Sequence, residues 1–257
     1  MTAREANSPL RLTDAQVEEY RKDGFLRVAA ITDDAEIEIL RTLVDDLFRR
    51  DGSFAAGDRL ELGADAAREP LTQVVNPERY APRLVQGPAY RNARAIARQL
   101  LGDGSIPTGH HVILKPARVG GGTPWHQDEA YWDPRYAHRA VSIWIALQPA
   151  TRENGCMQFL RGSHRGAVLP HELVSPAAHG LRLCGAAPAS MEFLCELPAA
   201  GASVHDGRTV HGAGANSSGQ PRRALVFGFG LAPVLLDTPN NYPWQRPEWS
   251  APANPGN

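Results

Sequence analysis

The stretch 141–160, VSIWIALQPATRENGCMQFL, contains two short runs of β-forming residues separated by a turn with Pro, Asn and Gly. Runs of this kind recur after Gly102, and each is bounded by Gly, Pro or Asn residues: 111–115, 141–148, 157–160, 192–197 and 222–231. Short strands at such spacing are typical of an antiparallel sandwich or barrel. The sequence therefore predicts a mainly β core.

Helical signals dominate the part of the chain that precedes this core. The capping-box pattern at Thr13 predicts a helix that ends near Gly24. A second helix is predicted after Asp33, because apolar residues recur at helical spacing over residues 37–48. A third apolar stripe of this kind lies over residues 93–101. These helices are expected to support the β core on one side.

Length and composition favour one globular domain. The chain has 257 residues, of which 42% are hydrophobic and 21% are charged, as in ordinary globular proteins. A chain of this length can bury a core without disulfides or metals. We expect a single domain with a helical arm and bracing elements (1–105), a β core (106–232) and a tail containing several prolines and two tryptophans (233–257).

The remaining composition bears on location and partners. Cys156, Cys184 and Cys195 show no C-x-x-C spacing, so neither a disulfide framework nor a zinc ribbon is expected. Residues 1–10 lack an apolar run, and no apolar stretch is long enough for a membrane helix. A formal net charge of −1 gives no electrostatic reason for a nucleic-acid or membrane partner. We expect a cytoplasmic monomer or homodimer.

The segment 123–132, TPWHQDEAYW, carries the most informative polar residues. Residues two apart in a strand face the same side, so His126 and Asp128 would project together and Gln127 would turn away. An imidazole and a carboxylate are two of the three ligands of a 2-His-1-carboxylate facial triad, which suits iron(II) because open coordination positions remain. An H-x-D tripeptide alone is a weak signal, since it also occurs by chance.

The third ligand has two candidates in the stretch 204–216, VHDGRTVHGAGAN. His205 and His211 would share one face of a continuous strand, but Gly207 makes a break plausible, so spacing alone leaves both open. His211 is preferred because it precedes a Gly-rich turn at a predicted strand end, where ligands at a barrel mouth lie. His205 is the reserve candidate.

Two adjacent arginines, Arg222 and Arg223, open the predicted strand PRRALVF at 221–227. Neighbouring residues in a strand face opposite sides, so one arginine must point inward, where it needs an anionic partner. A dicarboxylate would supply one, because guanidinium binds carboxylate in a bidentate fork. The alternative is that both arginines lie at the rim of the barrel.

Together these motifs resemble the phytanoyl-CoA dioxygenase family of iron(II)/2-oxoglutarate-dependent oxygenases. The likeness covers most of the chain. Five stretches carry it: LTDAQ and DGF within residues 12–25, WHQD at 125–128, NGC at 154–156, GSHR at 162–165, and HGAG with the arginine that follows at 211–222. It implies a mainly β (α+β) protein, a double-stranded β-helix or jelly-roll (cupin-like) barrel with supporting N-terminal helices.

The resemblance also implies roles for individual residues. His126, Asp128 and His211 would bind Fe(II), with 2-oxoglutarate and O2 as cosubstrates. Arg222 would hold the distal carboxylate of 2-oxoglutarate, and Trp144 would line the cosubstrate pocket. By the same likeness, the neighbouring second arginine would face outward.

Two positions distinguish this chain within the resemblance. Many members carry a Ser two residues after the distal His, whereas this chain has Ala213, so another donor would have to serve. Related halogenases replace the carboxylate ligand with a small residue, whereas Asp128 is retained here. Hydroxylation or a related oxidation is therefore expected rather than halogenation.

The predicted function is oxidation of a small-molecule substrate, in keeping with specialised metabolism. Possible lining residues at the barrel mouth are Lys115, Arg118, Tyr131 and Trp132. The same iron chemistry could instead give desaturation, epoxidation or rearrangement, because the outcome depends on how the substrate lies. An alternative from another class is a cupin-like binding protein without metal, or a hydrolase or isomerase using another metal.

Overall fold

A computed structural model describes residues 9–50, 54–62, 71–118, 121–175 and 180–245. These residues form three α-helices: α1 (Asp14–Asp23), α2 (Asp34–Arg49) and α3 (Pro88–Leu101). They also form fifteen strands: β1 (Phe25–Val28), β2 (Arg59–Leu62), β3 (Leu71–Val75), β4 (Ile106–Lys115), β5 (Thr123–His126), β6 (Tyr136–Ala137), β7 (Ala140–Ala146), β8 (Met157–Leu160), β9 (His171–Leu173), β10 (Leu181–Leu183), β11 (Glu192–Cys195), β12 (Ala202–Asp206), β13 (His211–Ala213), β14 (Arg222–Gly230) and β15 (Val234–Leu235).

Two antiparallel sheets make up the barrel. The larger sheet has seven strands in the order β1-β12-β7-β14-β4-β3-β2, and the smaller has four in the order β11-β8-β13-β5. Side chains from both sheets meet in one buried cluster, where Trp144 and Val226 of the larger sheet join Phe159 of the smaller one. The predicted jelly-roll fold with supporting helices is therefore confirmed.

The N-terminal helices begin and end where the sequence predicts. At the start of α1 the Thr13 side chain accepts a hydrogen bond from the Gln16 backbone, and the Gln16 side chain accepts one from the Thr13 backbone. The helix ends at Gly24, whose φ of 84° is a left-handed conformation that favours glycine. At the start of α2, the side chain of Asp33 accepts a hydrogen bond from the Glu36 backbone N–H and so caps that helix.

Alternation along the strands of the larger sheet separates two cores. On the outer face, Ile143 of β7 and Phe227 of β14 are buried among apolar residues of α2 and α3. On the inner face, Trp144 and Val226 are buried between the sheets. The core beneath the helices thus supports the outer face of the sheet, while the inner face is free to carry the residues of the site.

Strands β2 and β3 were not predicted from the sequence. The region between residues 52 and 88 shows no clear periodicity, yet its strands β2 and β3 extend the larger sheet beyond β4. The segment that the sequence marks as a helical arm therefore supplies three of the seven strands. Of the predicted tail, residues 246–257 lie outside the described part. None of the described helices is both long and apolar enough to cross a membrane.

Candidate active site

The H-x-D pair lies at the end of a strand and not along it. Strand β5 ends at His126, and Asp128 opens a 3₁₀ turn, Asp128–Tyr131. Gln127 between them keeps an extended backbone, so its side chain still turns away, as alternation predicts. It is buried, where its Nε2 donates to Arg208 O at 2.7 Å. His126 and Asp128 consequently reach the same space from a strand end and a turn.

Both candidate histidines of the later motif also reach this space, but from opposite sheets. His205 lies on β12 of the larger sheet, and His211 opens β13 of the smaller sheet, directly opposite His126. The chain crosses between the sheets through the turn around Gly207, so the two do not share one strand. Ring centroids lie 4.2 Å apart for His126 and His211, and 4.4 Å apart for His205 and His211.

The two carboxylate oxygens of Asp128 have different neighbours. Oδ1 lies 3.5 Å from His211 Nε2 and 3.8 Å from His126 Nε2, and one ligand atom from each of these three residues lies within 4.8 Å of the others. Oδ2 accepts a hydrogen bond from Ser142 Oγ at 2.8 Å and lies 3.5 Å from His205 Nε2. His205 therefore approaches the oxygen that points away from the other two imidazoles.

Backbone carbonyls set the tautomers of His126 and His211. Nδ1 of His126 lies 2.9 Å from Pro124 O, and Nδ1 of His211 lies 2.9 Å from Thr209 O. A carbonyl can only accept, so each Nδ1 carries the proton and each Nε2 keeps a lone pair. Burial lowers the pKa of both imidazoles, which keeps them neutral.

The carboxyl of Asp128 completes this donor set. Burial raises its pKa, but the neighbouring His211 and the hydrogen bond of His205 lower that pKa by more, so the group remains a carboxylate. Two neutral imidazole nitrogens and one carboxylate oxygen form the donor set of a facial iron(II) site. The residues present thus fit iron(II).

A second group of polar atoms lies at the inner end of the same cavity. Arg222, the first residue of β14, is buried with its Cζ 5.2 Å from the Trp144 ring. Among the described side chains, its Nε and Nη1 and the Nε1 of Trp144 are buried donors without a hydrogen-bond partner. Unpaired buried donors are unfavourable, so this arrangement fits an anionic ligand. Arg223 points the other way and donates to Asp45 of α2.

The cavity between the sheets has a volume of about 470 Å³ and joins both groups. Of the predicted substrate-lining residues, Tyr131, Trp132 and Lys115 line it. The Tyr131 oxygen accepts from Leu181 N at 2.6 Å. Arg118 is exposed just after β4 and is not among the lining residues in the described ranges.

Two further lining residues escaped the sequence analysis. Ser142 binds Asp128, and His111 of β4 faces the cavity, where burial lowers its pKa to about 4. Both could have been found from strand parity, because Ser142 precedes Trp144 by two positions and His111 precedes Lys115 by four. The residues around Ser142 and His111 form no recognisable motif, since a single Ser or His in a strand is common.

Comparison with known proteins defines the class of enzyme. The crystal structure of EvdO2 from Micromonospora carbonacea var. aurantiaca, complexed with 2-oxoglutarate, superposes with a TM-score of 0.82 at 37% identity, covering 93% of this chain and 99% of that one. With the barrel and the donor set described above, this likeness makes the protein an iron(II)/2-oxoglutarate-dependent oxygenase. The family model of phytanoyl-CoA dioxygenase matches residues 20–224, and the chain belongs to that family.

Two further relatives agree with this assignment. Phytanoyl-CoA dioxygenase domain-containing protein 1 of Bos taurus is 24% identical over 94% of this chain and 98% of its own length. Ectoine dioxygenase of Bordetella bronchiseptica is 27% identical over 92% of this chain and 81% of its own length. The predicted family, enzyme class and cofactors, Fe(II) with 2-oxoglutarate and O2, are thereby confirmed.

Proposed function

We propose that His126, Asp128 and His211 hold the iron of this oxygenase, that Arg222 and Trp144 bind 2-oxoglutarate, and that a small molecule is oxidised in the outer part of the cavity. One observation carries the proposal: the three ligand atoms lie within 4.8 Å of one another, and both imidazoles turn a lone pair toward Asp128. This arrangement supports His211 over His205 as the third ligand.

The surroundings of Asp128 support binding through a single oxygen. Ser142 and His205 occupy the side of Oδ2, which leaves Oδ1 for the iron. A carboxylate that binds through one oxygen leaves coordination positions open for the 2-oxo acid and O2. When bound, iron(II) with these cosubstrates supplies the oxidising chemistry, and the residues of this chain supply position and shielding.

The inner end of the cavity supports the role of Arg222. Burial lowers the pKa of Arg222 to about 10, so the guanidinium is still charged at neutral pH. In a buried setting, a charge-assisted fork to a carboxylate is stronger than in water, and the Trp144 ring, 5.2 Å from the guanidinium carbon, packs beside the group. The Nε1 of Trp144 offers a further donor at this end.

The outer part of the cavity is the proposed place of the substrate, with Tyr131 and Trp132 in its wall. The expected reaction is hydroxylation or another oxidation, in keeping with specialised metabolism. The pose of the substrate decides between hydroxylation, desaturation, epoxidation and rearrangement. We further propose one catalytic domain over residues 1–257 that acts in the cytoplasm as a monomer or homodimer, without nucleic-acid or membrane partners, in line with its net charge of −1.

An anaerobic titration with iron(II) and then 2-oxoglutarate tests this proposal through the visible absorption band of the iron–keto-acid chelate. The wild-type protein should develop the band, and Asp128→Ala should not. Arg222→Met should form it only with affinity for 2-oxoglutarate weakened about 100-fold, because a bidentate charged contact is lost. A folded wild-type protein that gives no band would refute the proposed sites.

A further inference from the structure

The segment 233–245, here called the C-terminal strap, returns to the part of the chain that follows the H-x-D pair. Its strand β15 pairs with β6, and the backbone of Asn240 donates to Pro134 O at 2.9 Å. These contacts direct the end of the strap toward the 3₁₀ turn Asp128–Tyr131, which carries one of the proposed iron ligands. The strap follows residue 224, where the match to the family model ends, so family membership by itself gives it no role.

Two side chains at the end of the strap bind the same carbonyl of this turn. The Nε1 of Trp244 donates to Ala130 O at 3.1 Å, and the Nε2 of Gln245 donates to Ala130 O at 3.0 Å. The Gln245 amide also donates to Trp132 O, just after the turn. Ala130 is fully buried, and a buried carbonyl oxygen requires donors, of which it can accept two. The strap therefore satisfies the backbone of the turn from outside the barrel motif.

The Trp244 ring also reaches the residue before Asp128, through one intermediate. It packs against His171 of β9, with ring centroids 5.4 Å apart. The Nδ1 of His171 lies 2.7 Å from Leu169 O and so carries the proton, while its Nε2 accepts from the Gln127 backbone N–H at 3.1 Å. His171 is buried, and Gln127 separates the two proposed iron ligands of the H-x-D pair. The strap thus contacts the backbone on both sides of Asp128.

We propose that Trp244 and Gln245 are positioning residues of the iron site, which fix the turn so that Asp128 Oδ1 faces the two imidazoles. This inference rests on the proposed function. Ser142 holds the side chain of Asp128, whereas the strap holds the backbone from which that side chain projects. Trp132, at the other end of the turn, lines the cavity, so the same bonds also fix part of the substrate wall. Contacts that orient a metal ligand affect metal affinity although they do not touch the metal.

Conservative substitutions in the strap separate positioning from packing. Trp244→Phe keeps a ring against His171 and removes the indole N–H, and Gln245→Met keeps the length of the side chain and removes its donors. Both single variants and the double variant are compared with Leu235→Ala, a matched control at a position of β15 that is 66% exposed. Competition with a chelator, without oxygen, gives the iron(II) affinity. The chelate band at saturating iron gives the dissociation constant of 2-oxoglutarate, and thermal unfolding without metal gives stability.

The double variant should bind iron(II) about 10- to 100-fold more weakly, and each single variant less so, as is typical when the support of a metal ligand is lost. The affinity of the iron form for 2-oxoglutarate should change by less than about threefold, because Arg222 and Trp144 are untouched. Leu235→Ala should behave as the wild type.

Two results would overturn this inference: an unchanged iron(II) affinity in the double variant, or equal losses of iron and 2-oxoglutarate affinity together with a lower unfolding temperature, which would indicate a purely structural role. In either case a chelate band in the wild type would leave the proposed function intact. A wild-type protein without the band would refute the proposed function and this inference together.

Discussion

The two faces of the seven-stranded sheet are built from alternating residues of the same strands, yet they have opposite chemistry. The outer face presents apolar residues such as Ile143 and Phe227, all buried against α2 and α3. The inner face presents Ser142, Trp144 and Arg222 toward the cavity. Alternation thus lets one strand serve a core and a site at once.

The difference teaches where stability and binding reside. The outer face buries mainly apolar surface against the helices, which stabilises the fold. The inner face keeps donors such as Arg222 Nε unpaired, which is unfavourable for the protein alone and favourable once an anionic ligand is bound. The sheet therefore offsets the unfavourable polar groups of its inner face by the packing of its outer face.

Substitution of the two neighbouring histidines should give the largest contrast on the inner face. His211→Ala should abolish the iron–keto-acid band, because the lone pair beside Asp128 Oδ1 is lost. His205→Ala should keep the band with metal affinity weakened about 10-fold, since it only supports Oδ2. The check is an anaerobic iron(II) titration of both variants. The opposite order would assign the third ligand to His205.

On the outer face, Phe227→Ala should lower the free energy of unfolding by about 3–5 kcal/mol. Its ring is fully buried and packs edge-on against Tyr90, with centroids 5.1 Å apart. Urea denaturation measures the effect. Arg222→Met is the matched inner-face variant, and its unfolding free energy should be unchanged or higher because an unpaired buried charge is removed. Equal destabilisation by both variants would contradict the division of roles between the faces.

Ser142→Ala tests whether the inner face positions the carboxylate. Loss of the 2.8 Å hydrogen bond to Asp128 Oδ2 should weaken metal affinity about 10-fold. Backbone pairing of β7 is retained, so stability should change little. Competition between the protein and a chelator for iron(II), without oxygen, gives the affinity. An unchanged value would mean that Ser142 does not orient Asp128.

Arg223→Met should have the smallest effect, although it neighbours Arg222. Its ion pair with Asp45 is partly exposed, so its loss should lower the unfolding free energy by at most about 1 kcal/mol, and less at high salt. Affinity for 2-oxoglutarate should equal that of the wild type, because this side chain points to α2. Reduced cosubstrate affinity in this variant would show that the two faces are coupled.

Local rules account for what could be predicted. The capping box at Thr13, the left-handed Gly24 and the apolar stripe of α2 depend on residues within a few positions of one another. The same holds for the opposite directions of Arg222 and Arg223, which follow from the two-residue period of a strand. The short β runs with turns between them were enough to predict an antiparallel sandwich or barrel, and the family resemblance selected the jelly roll.

Long-range pairing accounts for what could not. Strands β2 and β3 lack a clear local pattern, and they become strands because β3 pairs with the edge of β4 and β2 then pairs with β3. His126 and Asp128 were expected on one strand, but the chain turns at Asp128. The turn is held by a hydrogen bond from the Glu129 backbone N–H to the Gly207 carbonyl at 2.9 Å. Such turns depend on neighbours distant in the chain.

The sequence by itself determined the family, the jelly-roll class and the set of polar residues from which the site is drawn. Only the tertiary structure decided that His205 and His211 approach different oxygens of Asp128 and that Lys115 lies across from Arg222. The physical reason is that alternation fixes which face a side chain occupies, whereas sheet order and register decide which distant side chains share that face.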